Sequence, residues 1–395
     1  MQILSQQVLG YLDRASWIRK MFETGAAMKA EFGADAVFDF SLGNPDMPPP
    51  AAVCDGLKEL CFAATKPYAF GYMPNAGYPW AREALAAHVS VEQKISLTSD
   101  NIVVTCGAAG GLNAIFRAVL DAGDEVLGLA PYFVEYGFYV ENHGGVFKTA
   151  KTQPLTFELD LAAIEEALTP DTRVVLVNSP NNPTGQVYSE EEIKSLAALL
   201  TRKSEVYGRP IFLVADEPYR FLVYDAAVAP PVLSLYPYSL VASSFSKNLS
   251  LAGERVGYVA VSPLLPERAE LVNGLILTNR ILGFVNAPAI GQALMTRALG
   301  SQVDLEVYAR RRAALTEVLT AAGYVFTPPK GAFYFFPQVP GDGDDVAFVR
   351  RLQEEKILAV PGVGFGYPGY FRLAFCTDES VIRRAAEGFG RAARG

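Results

Sequence analysis

Two basic side chains occur eight residues apart in the segment SSFSKNLSLAGERVGY (243–258), which joins two apolar runs. A lysine amine acts as a nucleophile or a base when burial and nearby cations lower its pKa. An arginine guanidinium presents a planar set of donors that suits phosphate or carboxylate oxygens. Lys247 and Arg255 are therefore candidates for chemistry, although each also has a simpler interpretation, as a surface lysine and as a solvated loop charge.

Other polar groups also follow apolar runs of the chain. The glycine-rich loop 107–111 precedes a helical pattern, and such a loop offers backbone N–H groups to a phosphate. The segments 179–185 (SPNNPTG) and 216–219 (DEPY) follow two further runs. Taken alone, the glycine loop is a weak signal, and the other two segments could be a turn and a helix cap. Their shared position favours one site, because ligands of α/β sheets bind at the carboxyl ends of strands.

Short apolar runs alternate with helical patterns through the first part of the chain. Buried strands are predicted at 101–106, 125–130, 174–178, 211–215, 240–244 and 256–261. Helices are predicted at 110–120 and 193–207, and the second opens with a capping box formed by Ser189 and Glu192. This alternation predicts an α/β fold, with a mostly parallel sheet that carries helices on both faces.

The pattern changes after residue 286 and predicts a second, smaller α+β domain. One long helical stretch is predicted over 289–319, followed by short strands at 332–336, 357–360 and 370–375. We therefore expect three parts. These are an N-terminal arm that belongs partly to the small domain (1–47), a large domain (48–286) and a small C-terminal domain (287–395).

The composition narrows the class of protein. Half of the residues are hydrophobic, the net charge is -8, and no Lys/Arg-rich run occurs, so a nucleic-acid partner is not expected. The four cysteines form no CxxC pair and the two histidines are far apart, so no Cys/His metal site is expected. Gln, Gly and Asp interrupt the apolar run of residues 1–20, so no secretory signal is expected there, and the sequence has no apolar run of about 20 residues. We expect a soluble cytoplasmic protein whose thiols are reduced and mostly buried.

Six segments of the chain together resemble a known family. They are SLGNPD (41–46), YMPNAG (72–77), NSPNNPTG (178–185), ADEPY (215–219), SFSKNLSLAGERVGY (244–258) and FRLAF (371–375). In content and order they resemble the signature blocks of the class I/II aminotransferases, aspartate aminotransferase-like enzymes of fold type I that use pyridoxal 5'-phosphate (PLP). The resemblance extends from about residue 41 to residue 375.

The resemblance implies how the cofactor phosphate and aldehyde are held. Lys247 is similar to the lysine that binds the PLP aldehyde covalently. Tyr72 resembles a tyrosine that reaches the phosphate of the neighbouring subunit, which implies a homodimer with shared active sites. The remaining phosphate contacts implied are Gly107, Ala108, Ala109, Ser244, Ser246 and Arg255.

The resemblance also assigns contacts to the cofactor ring. Asp216 resembles the carboxylate that pairs with the pyridine nitrogen and keeps it protonated, which makes the ring an electron sink. Asn182 and Tyr219 are similar to the two donors to the phenolic oxygen. Phe133 lies where the family stacks an aromatic side chain on the ring, and where many relatives have Trp or Tyr.

The implied reaction moves an amino group between an L-amino acid and a 2-oxo acid by a ping-pong mechanism. Arg372 resembles the arginine that binds the substrate α-carboxylate, Asn182 is a further implied substrate contact, and Gly43 would allow a close backbone approach. Burying an unpaired arginine in a core strand is costly, which favours a ligand role over the alternative of a structural ion pair. Lys247 would take the Cα proton and return it at the cofactor carbon.

The sequence leaves the substrate open. Aspartate-type or broad specificity with 2-oxoglutarate as acceptor is expected, but Ala109 stands where a bacterial aspartate-type subgroup has a lysine. Ser16, Trp17 and Arg280 are candidates for side-chain recognition, with helix-surface or packing roles as alternatives. A PLP-dependent carbon–sulfur β-lyase is the second hypothesis for function. A non-catalytic regulator is the third, although the chain has no basic helix for a DNA-binding module.

Overall fold

The computed structural model describes residues 3–14, 17–341 and 343–394. The strands are β1 (Phe38–Asp39), β2 (Ile102–Thr105), β3 (Glu125–Ala130), β4 (Val146–Lys151), β5 (Thr172–Asn178), β6 (Phe212–Asp216), β7 (Ser239–Ser244), β8 (Gly257–Val261), β9 (Tyr334–Phe335), β10 (Ile357–Leu358), β11 (Val360–Pro361) and β12 (Phe371–Ala374).

The α-helices are α1 (Gln6–Arg14), α2 (Trp17–Phe32), α3 (Ala51–Ala63), α4 (Pro79–Glu92), α5 (Gly107–Val119), α6 (Tyr136–Glu141), α7 (Leu161–Ala167), α8 (Glu190–Tyr207), α9 (Val232–Leu235), α10 (Arg268–Ile281), α11 (Ala289–Ala298), α12 (Leu305–Ala321), α13 (Asp345–Glu354), α14 (Glu379–Arg384) and α15 (Ala386–Arg394). Short 3-10 turns occur at Ala34–Ala36, Ser99–Asn101, Ala252–Glu254 and Gly362–Phe365.

A seven-stranded sheet organises the first part of the chain, in the order β2-β8-β7-β6-β5-β3-β4. The pairs from β4 to β7 are parallel, whereas β8 runs antiparallel to both β7 and β2. Parallel strands end at the same edge, so the residues that follow β5, β6 and β7 come together there. Because β8 is antiparallel to β7, the residues that precede β8 lie at this edge as well.

The alternation of side chains along the strands gives the sheet two buried faces. Val175 and Val177 of β5 pack into one apolar cluster with α4, α8 and α11, while Val174 and Leu176 pack into another with α5 and α10. The capping box of α8 is confirmed, since Ser189 Oγ accepts from Glu192 N at 3.2 Å and Glu192 Oε2 accepts from Ser189 N at 2.7 Å. The predicted fold class, a mostly parallel sheet with helices on both faces, is therefore confirmed.

A third apolar cluster forms the C-terminal part of the molecule. It contains side chains of the three-stranded sheet β11-β12-β9 and of helices α12 to α15. Phe40 packs in this cluster and β1 pairs with β10, which supports the proposal that 1–47 associates with 287–395. Helix α11, however, packs against α3 and α4 in the first cluster. We therefore propose that the boundary between the two domains follows Ala298.

Two expectations from the sequence are wrong. The helical stretch predicted over 289–319 is broken, because Gly300 adopts a positive φ of 83° and the carboxylate of Asp304 caps a new helix by accepting from Glu306 N at 2.9 Å. The thiols are not mostly buried, because Cys54 and Cys61 are exposed on α3.

Within the described residues, no helix is both long and apolar enough to cross a bilayer.

Candidate active site

A cavity of about 310 Å³ lies at the edge of the sheet where β5, β6 and β7 end. The side chains and backbone that line it come from both parts of the chain. They include Gly43, Ala108, Ala109, Leu112, Phe133, Tyr139, Asn178, Asn182, Asp216, Tyr219, Ser244, Ser246, Lys247, Arg255, Tyr334 and Arg372. Most residues that the sequence predicted for the site therefore lie around one space.

Lys247 follows β7 and is largely withdrawn from solvent in this cavity. Its Nζ donates a hydrogen bond to the carbonyl oxygen of Gly43 at 2.7 Å. Burial lowers the pKa of Lys247 to about 8, with smaller contributions in the same direction from Arg372 and Arg255. About one tenth of this amine is therefore unprotonated at pH 7, far more than for a lysine with the ordinary pKa, and the unprotonated amine is the form that acts as nucleophile or base.

One end of the cavity combines a cation with hydroxyl and amide groups. Arg255 follows the turn Ala252–Glu254 in a left-handed conformation, and its Nη1 donates to Ala252 O at 2.9 Å. Helix α5 begins at Gly107, so its first backbone N–H groups are free of partners within the helix. Gly107 adopts a positive φ of 70°, which favours glycine, and a Cβ there would lie 2.8 Å from Arg255 Nη2 and would displace the tip of the guanidinium. With Ser244 and Ser246 beside it, this end fits a phosphate.

Asp216, the last residue of β6, provides a buried carboxylate. Its Oδ2 accepts a hydrogen bond from the hydroxyl of Tyr136 at 2.6 Å, while Oδ1 is buried and has no hydrogen-bond partner among the described residues. Burial raises the pKa of Asp216 to about 6, against the opposing effect of the Tyr136 hydrogen bond. An acceptor without a partner at the wall of a cavity fits a cationic N–H donor such as a protonated pyridine.

Phe133, Asn182 and Tyr219 also line the cavity. The ring of Phe133 lines the cavity and packs edge-on against the ring of Tyr136, with ring centroids 5.5 Å apart. Asn182 lies between β5 and α8, and its Oδ1 accepts from Arg372 Nη1 at 3.1 Å. The hydroxyl of Tyr219 lies 2.8 Å from the hydroxyl of Tyr334. Burial raises the pKa of Tyr219 well above its ordinary value, so this phenol keeps its proton.

Arg372 on β12 places a guanidinium in the interior, with only 2% of the residue exposed. Nη2 donates to Ser41 O at 2.6 Å, and the rings of Tyr334 and Phe365 both lie 4.9 Å from the guanidinium carbon. Nε has no partner, and no carboxylate of the described residues forms an ion pair with this arginine. Burial lowers the pKa of Arg372. The guanidinium thus faces the cavity without a counter-ion, which fits a carboxylate ligand.

Several predicted residues are not brought into this cavity. Tyr72 is 97% exposed and borders a separate groove with Phe70 and Phe284. Arg280 is exposed on α10 and does not line the cavity of its own chain. Ser16 lies outside the described residues, as does the side chain of Trp17.

Sequence reasoning missed three tyrosines of the site, Tyr136, Tyr139 and Tyr334. Tyr136 lies three residues after Phe133, at the start of α6, and that short spacing is the signal that could have suggested it. Tyr334 lies within the segment AFYFF (332–336), where its type and position are typical of a core strand. Residue type alone did not distinguish it from its apolar neighbours.

Comparison with known proteins gives a consistent result over almost the whole chain. A family model described as aminotransferase class I and II matches residues 35–389. The aspartate/prephenate aminotransferase of Thermus thermophilus is 34% identical over 364 residues, covering 91% of each chain.

Solved structures agree with this match. An amino transferase from Eubacterium rectale superposes with a TM-score of 0.96 at 38% identity, covering 100% of this chain and 99% of that chain. The aspartate aminotransferase of Thermus thermophilus with maleate gives a TM-score of 0.87 at 30% identity, covering 99% of this chain and 100% of that chain. The protein described here is therefore a member of the class I and II aminotransferase family.

Proposed function

We propose that this aminotransferase binds pyridoxal 5'-phosphate, the cofactor of its family, in the cavity around Lys247. One observation carries the proposal: an amine, a carboxylate and a guanidinium line the same cavity, and none forms an ion pair with another protein group of the described residues. The three side chains are Lys247, Asp216 and Arg372. Buried charges without counter-ions are costly, so a ligand with complementary charged groups is expected to occupy the cavity that they line.

The residues present fit the parts of this cofactor. The phosphate would be held by Arg255, the hydroxyls of Ser244 and Ser246, and the backbone at 107–109. The pyridine nitrogen would bind the free Oδ1 of Asp216, the ring would lie against Phe133, and the phenolic oxygen would accept from Asn182 and Tyr219. When bound, PLP supplies an electron sink for the bond between the substrate Cα and its hydrogen.

The side chains of the protein would bind the substrate, transfer the proton and stabilise the charge on the cofactor ring. Arg372 would bind the substrate α-carboxylate and hold the Cα–H bond near Lys247. Lys247 in its neutral form would take that proton, and the carbonyl of Gly43 holds the amine in place. The ionised carboxylate of Asp216 would stabilise a positive charge on the pyridine nitrogen. The result is transfer of an amino group from an L-amino acid to a 2-oxo acid.

For substrates, we propose aspartate-type or broad specificity with 2-oxoglutarate as the acceptor. The names of relatives support this choice, since the Thermus thermophilus protein is an aspartate/prephenate aminotransferase. Among the described lining residues, Lys247, Arg255 and Arg372 are the only cations, and each has a role assigned above. A distal carboxylate would need a further group, and Arg280 of a second subunit is our candidate for it.

We further propose a homodimer in which Tyr72 contacts the phosphate of the neighbouring site. Tyr72 is exposed and lines a groove separate from the cavity of its own chain, and both observations support a role in a second subunit. Phe70 beside it is 48% exposed, and Tyr68 is 93% exposed, so this segment presents aromatic surface to a partner.

A cytoplasmic location is also proposed, supported by four cysteines that are all free thiols.

Absorbance and mass spectrometry test the proposal directly. Purified protein supplied with PLP is expected to show a visible absorption band, and borohydride is expected to fix the cofactor on the peptide that contains Lys247. A panel of amino donors with 2-oxoglutarate, pyruvate and oxaloacetate then defines the substrates. Absence of the band refutes the cofactor proposal, whereas release of pyruvate from cystathionine without an acceptor would favour the β-lyase.

A further inference from the structure

Tyr334 has no role in the function proposed above, yet it contacts several parts of the site. The residue is 2% exposed and lies on β9, where it is paired with Ala374 of β12. Its hydroxyl lies 2.8 Å from the hydroxyl of Tyr219, and its ring covers the guanidinium of Arg372 at 4.9 Å. Gly43 packs directly on its hydroxyl, because a Cβ at that position would collide with the oxygen.

The two hydroxyls share one hydrogen bond, so one of their protons must find another acceptor. Among the described residues, each hydroxyl has the other as its hydrogen-bond partner. A buried proton without an acceptor is unfavourable, which makes the direction of this bond important. Burial raises the pKa of both phenols, so both protons are present at neutral pH.

The surroundings of Tyr334 favour one direction. The oxygen of Tyr334 is covered by the backbone at Gly43, which offers its carbonyl to Lys247 instead. Tyr219 and Tyr334 both line the cavity, so the difference between them is the cover that Gly43 places over the Tyr334 oxygen. If Tyr334 donates to Tyr219, the proton of Tyr219 is left to point into the cavity, where a ligand oxygen can accept it.

We propose that Tyr334 is a positioning residue, which donates to Tyr219 and thereby directs the Tyr219 proton towards the phenolic oxygen of bound PLP. This inference rests on the proposed function, because it requires PLP in the cavity. In this proposal Tyr334 influences the bound cofactor only by orienting the hydroxyl of Tyr219. The ring of Tyr334 also packs on Arg372, so this side chain connects the groups proposed for cofactor and for substrate.

The test compares PLP dissociation constants measured with the full chain freed of cofactor. Y334F is expected to weaken PLP binding roughly 3- to 10-fold, the effect of one hydrogen bond, and Y219F at least as much. Because Tyr334 acts through Tyr219, the double variant should bind PLP no more weakly than Y219F alone. Y324F is the matched control, since Tyr324 is a buried tyrosine that donates to Phe389 O outside the cavity.

A second readout uses the absorbance of the PLP-loaded protein as a function of pH. Loss of a donor to the phenolic oxygen of PLP makes that oxygen more basic. The midpoint of the absorbance change with pH should therefore move to higher pH in both Y219F and Y334F, and not in Y324F. Independent effects that multiply in the double variant would overturn the inference, because they would show that Tyr334 does not act through Tyr219. Normal PLP binding by both Y219F and Y334F would also overturn it, while the proposed function would stand. Failure of the wild-type protein to bind PLP would overturn both.

Discussion

Two buried charged side chains line the cavity, Asp216 and Arg372, and they are held in different ways. Asp216 is 6% exposed, and its carboxylate has one side-chain partner, Tyr136. Arg372 is 2% exposed and is surrounded by groups from four separate segments of the chain: the carbonyl of Ser41, the amide of Asn182 and two aromatic rings. Each charge keeps one polar atom that has no hydrogen-bond partner in the described part of the chain, Oδ1 in the acid and Nε in the arginine.

This difference indicates which part of the fold each function depends on. The surroundings of Asp216 belong to the seven-stranded sheet and its helices, so the proposed cofactor contact needs only that part of the protein. The surroundings of Arg372 require the N-terminal segment, the loop after β5 and the small sheet to come together. Substrate binding is therefore expected to be more sensitive than cofactor binding to changes in how the two parts of the chain pack.

The largest effect is expected from a substitution that removes the amine of Lys247. Lys247→Ala should lower kcat for transamination roughly 10²- to 10⁴-fold, because the general base is lost. Lys330→Ala, which changes an exposed lysine in a separate groove, is the control. Steady-state rates with 2-oxoglutarate provide the measurement, and near wild-type turnover by the Lys247 variant would contradict the mechanism.

The second largest effect is expected to distinguish substrate binding by Arg372 from cofactor binding by Asp216. Arg372→Met should lower kcat/KM for amino acids roughly 10²-fold or more, through loss of two charge-assisted hydrogen bonds, while PLP affinity changes little. Arg351→Met is a suitable control, since Arg351 also lies over an aromatic ring and bonds a carbonyl, but outside the cavity. Equal losses of PLP affinity and of kcat/KM would remove the distinction between substrate binding and cofactor binding.

Asp216 should also leave a signature in the stability of the cofactor-free protein. Its pKa is raised from 3.8 to about 6, so the fold favours the neutral acid, and this stabilisation is present below pH 3.8 and lost as pH rises through about 6. Asp216→Asn should therefore gain stability relative to wild type between those values, on the order of 3 kcal/mol at the plateau. Urea unfolding at several pH values measures it, and a difference that does not vary with pH would show that the acid is not buried in the apo-protein.

The smallest effect concerns the rate at which the cofactor-free protein captures PLP. The neutral amine of Lys247 is the reactive form, so the rate should rise with pH until about 8, the pKa of this side chain. Arg372 contributes to lowering that pKa, so Arg372→Met should move the midpoint by less than about one pH unit to higher pH. Stopped-flow absorbance gives the profile. A midpoint near 10.5 in the wild type would mean that Lys247 is solvated.

Much of the fold and part of the site were predictable from strand ends and family motifs. Lys247, Asp216 and Asn182 follow apolar runs whose ends the hydrophobic pattern marks, and a parallel sheet brings such ends together. The break near Gly300 was missed because the apolar period resumes after it. Ser41 acts through its carbonyl oxygen, which every residue type possesses, so no sequence pattern singles it out. Tyrosines in core segments look apolar until the partner of each hydroxyl is known.

The antiparallel direction of β8 has a consequence for protein engineering. Ser244 and Gly257 are paired across the β7–β8 ladder, so the loop 245–256 has both ends anchored at the same register. An inserted residue there could be absorbed only within the loop, and it would shift Lys247 relative to Arg255. Libraries that alter the length of this loop should yield inactive variants. The opposite rim is the better place for insertions, because Gly123 and Gly208 have open space around them.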